Sequence, residues 1–350
     1  MTERLVERIA RTVLYEGYNL YPYRASSVKN QRRFNFGVLA PQAFSAASND
    51  TERCSSQTEC LVLGDEHTTI DVMARFLQLE ARDISDVHAA SNENPAAFLP
   101  VASLEVDGEL YSSWQEAVER EVVAQALALH TLVTVPQQVD FVIDGLRRSE
   151  PIHDAGGQVA GKIARRRWRL QGTMEIAAAI VGEGLAKVTV RVLNTTPFDD
   201  PSQRTREEAL VQSLVSAHTV LRVHDGEFVS LLEPPDEHRA AAAACSNVGT
   251  WPVLVGPEGE RSVMLSSPII LYDYPQVAPE SAGDLFDGTE IDEILMLRIM
   301  TLTDDEKREM RSLDDRTRRI LERAETLPPE QLMKLHGVVR GPRTSQGDTQ

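Results

Sequence analysis

The sequence predicts an α+β protein, with an antiparallel β-sandwich-like body followed by a C-terminal helical segment. Three observations predict it. At least six runs alternate apolar and polar residues at the period of a half-buried strand. Pairs of these runs flank the tight-turn sequences Gly182-Glu183-Gly184 and Asp225-Gly226. Beyond Tyr274 the pattern changes to apolar stripes at helical spacing. On that division residues 1–274 form the β-rich body, 275–339 the helical segment and 340–350 a disordered tail.

Taken in order, Leu5, Ile9 and Val13, with Val6 and Ala10 beside them, place a short amphipathic helix over residues 3–14, broken by Gly17 and Pro22. The stretch from Leu14 to Ala40 then concentrates aromatic and basic residues. Four of the seven tyrosines (Tyr15, Tyr18, Tyr21, Tyr23) fall in nine residues, followed by Arg24, Lys29, Arg32 and Arg33, then Phe34 and Phe36. Rings beside guanidinium groups offer large contact area at low rotamer cost, plus planar, charge-assisted hydrogen bonds to acidic groups. Those four tyrosines and four basic residues are therefore the candidate partner-binding site. Residues 41–57, rich in Ser, Ala, Asn and Thr, read as a loop.

Next, Ile70, Val72, Ala74 and Phe76 alternate, and the apolar set then slips to Leu77, Leu79 and Ala81, as a β-bulge near Phe76 would make it do. Ala102, Leu104 and Val106 run into Asp107-Gly108, a hairpin signal. Residues 113–130 suit either a helix capped by Ser113 and Glu116 or an edge strand. The clearest structure is a long hairpin, Trp168 to Ile180 returning through Ala186, Val188, Val190 and Val192. Its expected register sets Ile180 opposite Ala186, Ile176 opposite Val190 on the buried face and Glu175 opposite Arg191 on the wet one. Thr205-Arg206-Glu207-Glu208 is a capping box opening a helix through Leu210, Leu214 and Val215. A second hairpin joins Thr219–His224 to Glu227–Leu232, and Trp251–Val255 and Ser262–Tyr272 are two further strands.

In the helical segment Ile291, Ile294, Leu295, Ile299 and Leu302 form one stripe. Thr303-Asp304-Asp305-Glu306 caps a helix with Met310, Leu313, Thr317, Ile320, Leu321 and Ala324 on one face. Pro328-Pro329 start a last short helix that Gly337 ends.

The net charge of −17 and a pI near 5.0 give a field that repels polyanions, which disfavours nucleic-acid binding. Arg165, Arg166, Arg167 and Arg169, the densest basic cluster, read as a solvated strand face, with RNA or phosphate binding as the sharper alternative. Cys54, Cys60 and Cys245 fit no disulfide framework and no paired metal spacing, which points to a reducing compartment. No apolar run approaches the roughly 20 residues of a membrane span. Glu3, Arg4, Glu7 and Arg8 speak against a signal peptide, so a soluble cytoplasmic protein is expected.

His218, His224 and Asp225, with Cys245, are candidates for a Cys–His pair but carry no flanking motif. The acidic run Glu280, Asp284, Asp287, Glu290, Asp292 and Glu293 lacks EF-hand spacing and instead suits the start of a helix. Phosphate-binding glycine loops, dinucleotide fingerprints, zinc-protease motifs and nucleophile elbows are all missing from the sequence. The residues thus assign no catalytic group, no metal and no cofactor.

Four strings carry a resemblance: LYEGYNLYPYRASSVKN from Leu14, HTVLRVHDGEFVSLLEPP from His218, WPVLVG from Trp251 and SSPIILYDYPQVAPESAGDLFDGTEIDEILMLRI from Ser266. In them the chain resembles a little-characterised family of bacterial proteins encoded beside high-affinity nickel-iron hydrogenases. The resemblance implies a non-catalytic accessory protein that binds a hydrogenase subunit or maturation factor to aid assembly, stability or coupling. An enzyme or metal-handling factor acting in hydrogenase maturation is the alternative it leaves open. It carries over no catalytic residue.

Overall fold

The computed structural model describes residues 2–15, 35–87, 98–275, 299, 301–313 and 315–326. Its first elements are helix α1 (Thr2–Tyr15), helix α2 (Gln42–Ala47), strand β1 (Ser55–Asp86), β2 (Leu99–Val101), β3 (Ser103–Val106), β4 (Glu109–Ser112) and β5 (Trp114–Ala128). There follow α3 (Leu129–Thr134), β6 (Gln137–Ile143), β7 (Leu146–His153), β8 (Val159–Arg167), β9 (Leu170–Gly182) and β10 (Leu185–Asn194). The rest comprises α4 (Arg206–Leu210), β11 (Val215–Val229), α5 (Arg239–Ala243), β12 (Trp251–Leu254), β13 (Val263–Ser267), α6 (Asp304–Arg311) and α7 (Asp315–Thr326). A large antiparallel sheet with C-terminal helices is the α+β, sandwich-like class that the alternation predicts.

β1 organises the sheet. It runs for 32 residues and pairs antiparallel with β10, β11, β5, β8 and β2 in turn. The principal strand order is β12-β13-β11-β1-β10-β9-β6, with β7 added on β8 and β3–β4 forming a separate hairpin. Ile70, Val72, Ala74 and Phe76 point into the main core with Met174 and Ile176 of β9, Val188 and Val190 of β10, and Leu221 of β11. Leu129 and Leu132 of α3 join the same core. On the opposite face α1 lays Val6, Ile9 and Val13 against Val220, Val263 and Leu265. Each such aliphatic side chain contributes about 1.5–3 kcal/mol when fully withdrawn from water.

Two sequence expectations along β1 are corrected. The apolar set does not slip through a bulge in β1, because its pairing with β5 is unbroken from Val72↔Ala124 to Arg82↔Trp114. Instead the covering changes. Leu77 and Leu79 pack on the other face with Leu14, Tyr15 and Val215, while Gln78, Glu80 and Arg82 keep the inward face. The extra residue near Phe76 belongs to β11, where Arg75 pairs with His218 but Leu77 pairs with Val215, and Ser216 takes φ 55°. Nor does Asp225-Gly226 close a hairpin. β11 is continuous, and Asp65–Thr68 of β1 loop out against Asp225, whose carbonyl accepts from Thr68 Oγ1 at 2.6 Å. Gly226 is required there, since a Cβ would meet Leu63 O at 2.7 Å.

Other elements follow the local chemistry. β9 and β10 take the expected register, Ile180↔Ala186, Ile176↔Val190 and Glu175↔Arg191, although the tip extends past the core and Ile180 is 64% exposed. Of residues 113–130, Trp114–Ala128 form strand and 129–130 open α3, Ser113 Oγ donating to Val101 O instead of capping a helix. The expected loop over 41–57 contains α2, whose Phe44 packs edge-on against Phe198 at 5.7 Å. Both capping boxes, at Thr205 and Thr303, form. α4 stops after one turn because Leu214 bridges Leu39 and Val215 enters β11. Beyond Thr303 the expected single helix is two, α6 and α7, and its six apolar-face residues are all buried. Arg82 Nη2 donates to Ser312 O at 2.5 Å, a cation at the C-terminal end of α6 that complements the helix dipole and ties the helices to the sheet. The stripe before Ile299, the acidic run 280–293, the helix expected at Pro328 and the tail 340–350 lie outside the described residues.

Candidate functional site

Of the predicted partner-binding residues, Tyr18, Tyr21, Tyr23, Arg24, Lys29, Arg32 and Arg33 lie outside the described residues. Tyr15 is described and is 7% exposed, packed with Leu14, Leu77, Leu79 and Leu210. Its ring belongs to the body's packing, because α1 extends through it and turns it onto the sheet. Both described flanks of this segment are held at one place. Ser216 Oγ donates to Val13 O at 3.2 Å, while Ser216 N and Ala217 N donate to Phe36 O and Gly37 O at 3.1 and 2.9 Å. The β11 bulge thus holds both described flanks, the end of α1 and residues 36–37.

Beside that bulge a groove of about 490 Å³ runs between α1 and the sheet, lined in part by Glu7, Asp71, Arg75, Glu121, Arg222 and His224. Arg75, 2% exposed, forks onto Glu7 at 2.9 and 3.0 Å and reaches Glu121 at 3.0 Å, which clamps α1 to β1 and β5. His218 sits opposite Arg75 on β11. Its Nδ1 donates to Ser216 O at 3.0 Å, and its buried Nε2 has no hydrogen-bond partner among the described residues. Burial, only partly opposed by that bond, brings its pKa down to about 4, so the ring is neutral near pH 7. Burial pushes the Asp71 carboxyl up, but the Ala126 N–H and His224 bonds outweigh it and hold the carboxyl below the ordinary range.

A second charged group lies inward on β1. Glu80 takes Arg167 at 3.0 Å and Arg165 at 3.4 Å, and Glu116 takes Arg82 at 3.1 Å. Gln78 accepts from Arg120 Nε at 2.9 Å and donates to Trp168 O at 2.7 Å. The reading of the arginine cluster as a solvated face therefore fails for Arg165 and Arg167, which turn inward to carboxylates. Arg166 and Arg169 are exposed as expected, Arg166 lying 4.3 Å over the Trp168 ring. The Cys245–His218 pair does not form either. Cys245 Sγ bonds Ala241 O and packs beside Leu61 and Leu185, and burial pushes its thiol up to about 11.

The third feature is open. At the end of β11 a pocket of about 510 Å³ has Leu63, Val229 and Leu254 among its apolar lining residues, with Tyr272 and Tyr274 also lining it. Asp273 builds it: Oδ1 accepts from Leu254 N at 2.8 Å and Oδ2 from Ser230 Oγ at 2.5 Å, while Tyr274 N donates to Leu254 O at 2.7 Å. Tyr274 holds φ 56°, a backbone region that non-glycine residues seldom occupy. Tyr272 stands 85% exposed and Leu232 half exposed at the mouth. The sequence reading took Tyr272 as the end of a strand. The signal it passed over is Tyr-Asp-Tyr before Pro275, two rings bracketing a carboxylate.

Among the described residues no group of three His, Cys, Asp or Glu is placed to hold a metal, and no helix is long and apolar enough to cross a membrane. The chain matches no known family model and no curated protein.

Proposed function

We propose that this protein is a non-catalytic accessory factor of the cytoplasm. It binds a nickel-iron hydrogenase subunit or one of its maturation proteins and aids assembly, stability or coupling. The observation that carries the binding role is the open pocket at the end of β11, where the strings 218–235, 251–256 and 266–275 meet and leave aromatic and aliphatic side chains in water. An exposed ring, Tyr272, beside an apolar floor is the kind of feature that protein partners cover. The pinned flanks of the Tyr–Arg segment support a second contact surface on the same body. The partner's identity comes from the resemblance in those strings. A pull-down with the tagged full chain from its native host tests it. Recovery of a hydrogenase subunit or maturation protein under gentle conditions is expected, and its absence would count decisively against the assignment.

A further inference from the structure

We infer that the pocket at the end of β11 receives a cationic side chain, a lysine or arginine flanked by aliphatic residues on the partner, which rests on the protein-binding reading but not on the partner's name. The lining has two levels. Leu63 and Leu254 give the deeper part an apolar surface, while Glu233 and Asp273 set two acids beside Arg261. Arg261 already has an acidic neighbour outside the pocket, Glu227 at 3.7 Å. A cation entering here therefore meets an excess of negative charge.

Lys and Arg carry an aliphatic stem under a charged head, so the stem suits the leucines and the head suits the carboxylates. Tyrosine faces attract the same head through their quadrupole, most strongly where water is excluded. An acidic side chain would face like charge. A purely aliphatic one would cover the Glu233 and Asp273 carboxylates without offsetting their charge. The pocket is also built before anything binds: Asp273 fastens the 272–274 segment to both Leu254 and Ser230, leaving the Tyr272 ring standing without a rearrangement to make.

The probe is a capped pentapeptide, Ser-Leu-Arg-Leu-Ser, compared with versions carrying citrulline, the uncharged isostere of arginine, or glutamate at the centre. Amide shifts of the ¹⁵N-labelled full chain report where each binds. The arginine peptide should saturate with shifts at Glu233, Leu254 and Tyr274, and citrulline should bind at least about tenfold more weakly. Tyr272→Ala and Glu233→Gln should each weaken the arginine peptide by a similar factor, while Glu207→Gln on α4, at the opposite end of β11, should change nothing. Equal binding of citrulline, or an equal loss from Glu207→Gln, would overturn the inference, the latter because it would reveal only the field of an acidic molecule. The same variants separate this from the accessory role. A Tyr272→Ala chain that still recovers the hydrogenase partner sinks the pocket assignment and leaves the role standing. A wild-type chain that binds the arginine peptide but recovers no such partner does the reverse.

Discussion

Two parts of β1 share one strand and one face, and both are buried, yet they are built from opposite chemistry. Ile70, Val72, Ala74 and Phe76 look into an apolar core, whereas Gln78, Glu80 and Arg82, the next residues of the same parity, look into arginines and glutamates. The apolar part is stabilised by area removed from water, which depends weakly on which neighbour supplies it. The polar part is stable only when every charge finds its partner. A one-residue slip of β8 would carry Arg165 and Arg167 to the other face and leave Glu80 alone. Burial is thus one quantity with two consequences: the apolar part supplies stability, and the charged part punishes the wrong register.

The largest test bears on the apolar part. Phe76→Ala removes a fully buried ring that lies 5.8 Å from Phe141, and urea unfolding should show a loss of about 3–5 kcal/mol. A loss below about 1 kcal/mol would mean that the ring is not in a packed core. The charged part is next. Glu80→Gln leaves Arg165 and Arg167 without their shared carboxylate, and a fully buried break of this kind costs about 3–5 kcal/mol. Because both arginines retain some water contact, about 2–3 kcal/mol is expected here. The double replacement Glu80→Leu with Arg167→Met should recover much of that loss. If it is worse than the single change, the network adds net stability and the contrast with the apolar part disappears.

What the sequence could reveal tracks how local the deciding physics is. The β9–β10 register and the caps at Thr205 and Thr303 were legible, since each depends on residues a few positions apart. Asp225-Gly226 was not. The same dipeptide that suits a tight turn also suits a kink, and the choice is made by Asp65–Thr68 on a distant strand. Likewise the inward turn of Arg165 and Arg167 depends on Glu80 and Glu116, which the arginine run itself does not announce. The open pocket is the extreme case, drawing its lining from β1, β11, β12 and the residues after β13. Of the predicted Tyr–Arg surface, only the burial of Tyr15 and the anchoring of both flanks are on view.

His218 sharpens the comparison, being buried and polar like Glu80 but with one ring nitrogen unpartnered among the described residues. Its folded pKa, about 4, lies below the ordinary 6.5, so its contribution is complete above pH 6.5 and is lost as pH falls toward 4. At pH 5 that loss is about 2 kcal/mol. His218→Gln, which can still donate to Ser216 O, should flatten the difference in urea stability between pH 7 and pH 5 by about that amount. Wild type and variant share the carboxylates that also lose stability in acid, so the difference between them isolates the ring. An unchanged slope would place water at Nε2.

The smallest effect comes from moving the same ion pair to the wet face. Glu175 and Arg191 lie 3.5 Å apart with side chains 41% and 48% exposed. Glu175→Gln should cost less than about 0.5 kcal/mol, because water already solvates both ions and holding two long side chains in place offsets most of the attraction. That small cost should vanish in high salt, whereas the loss from Glu80→Gln should persist there, since screening ions do not enter the inward network. If Glu175→Gln instead cost as much as Glu80→Gln, the distinguishing variable would be carboxylate–guanidinium geometry and not removal from water, and the two parts of β1 would have to be compared on that basis.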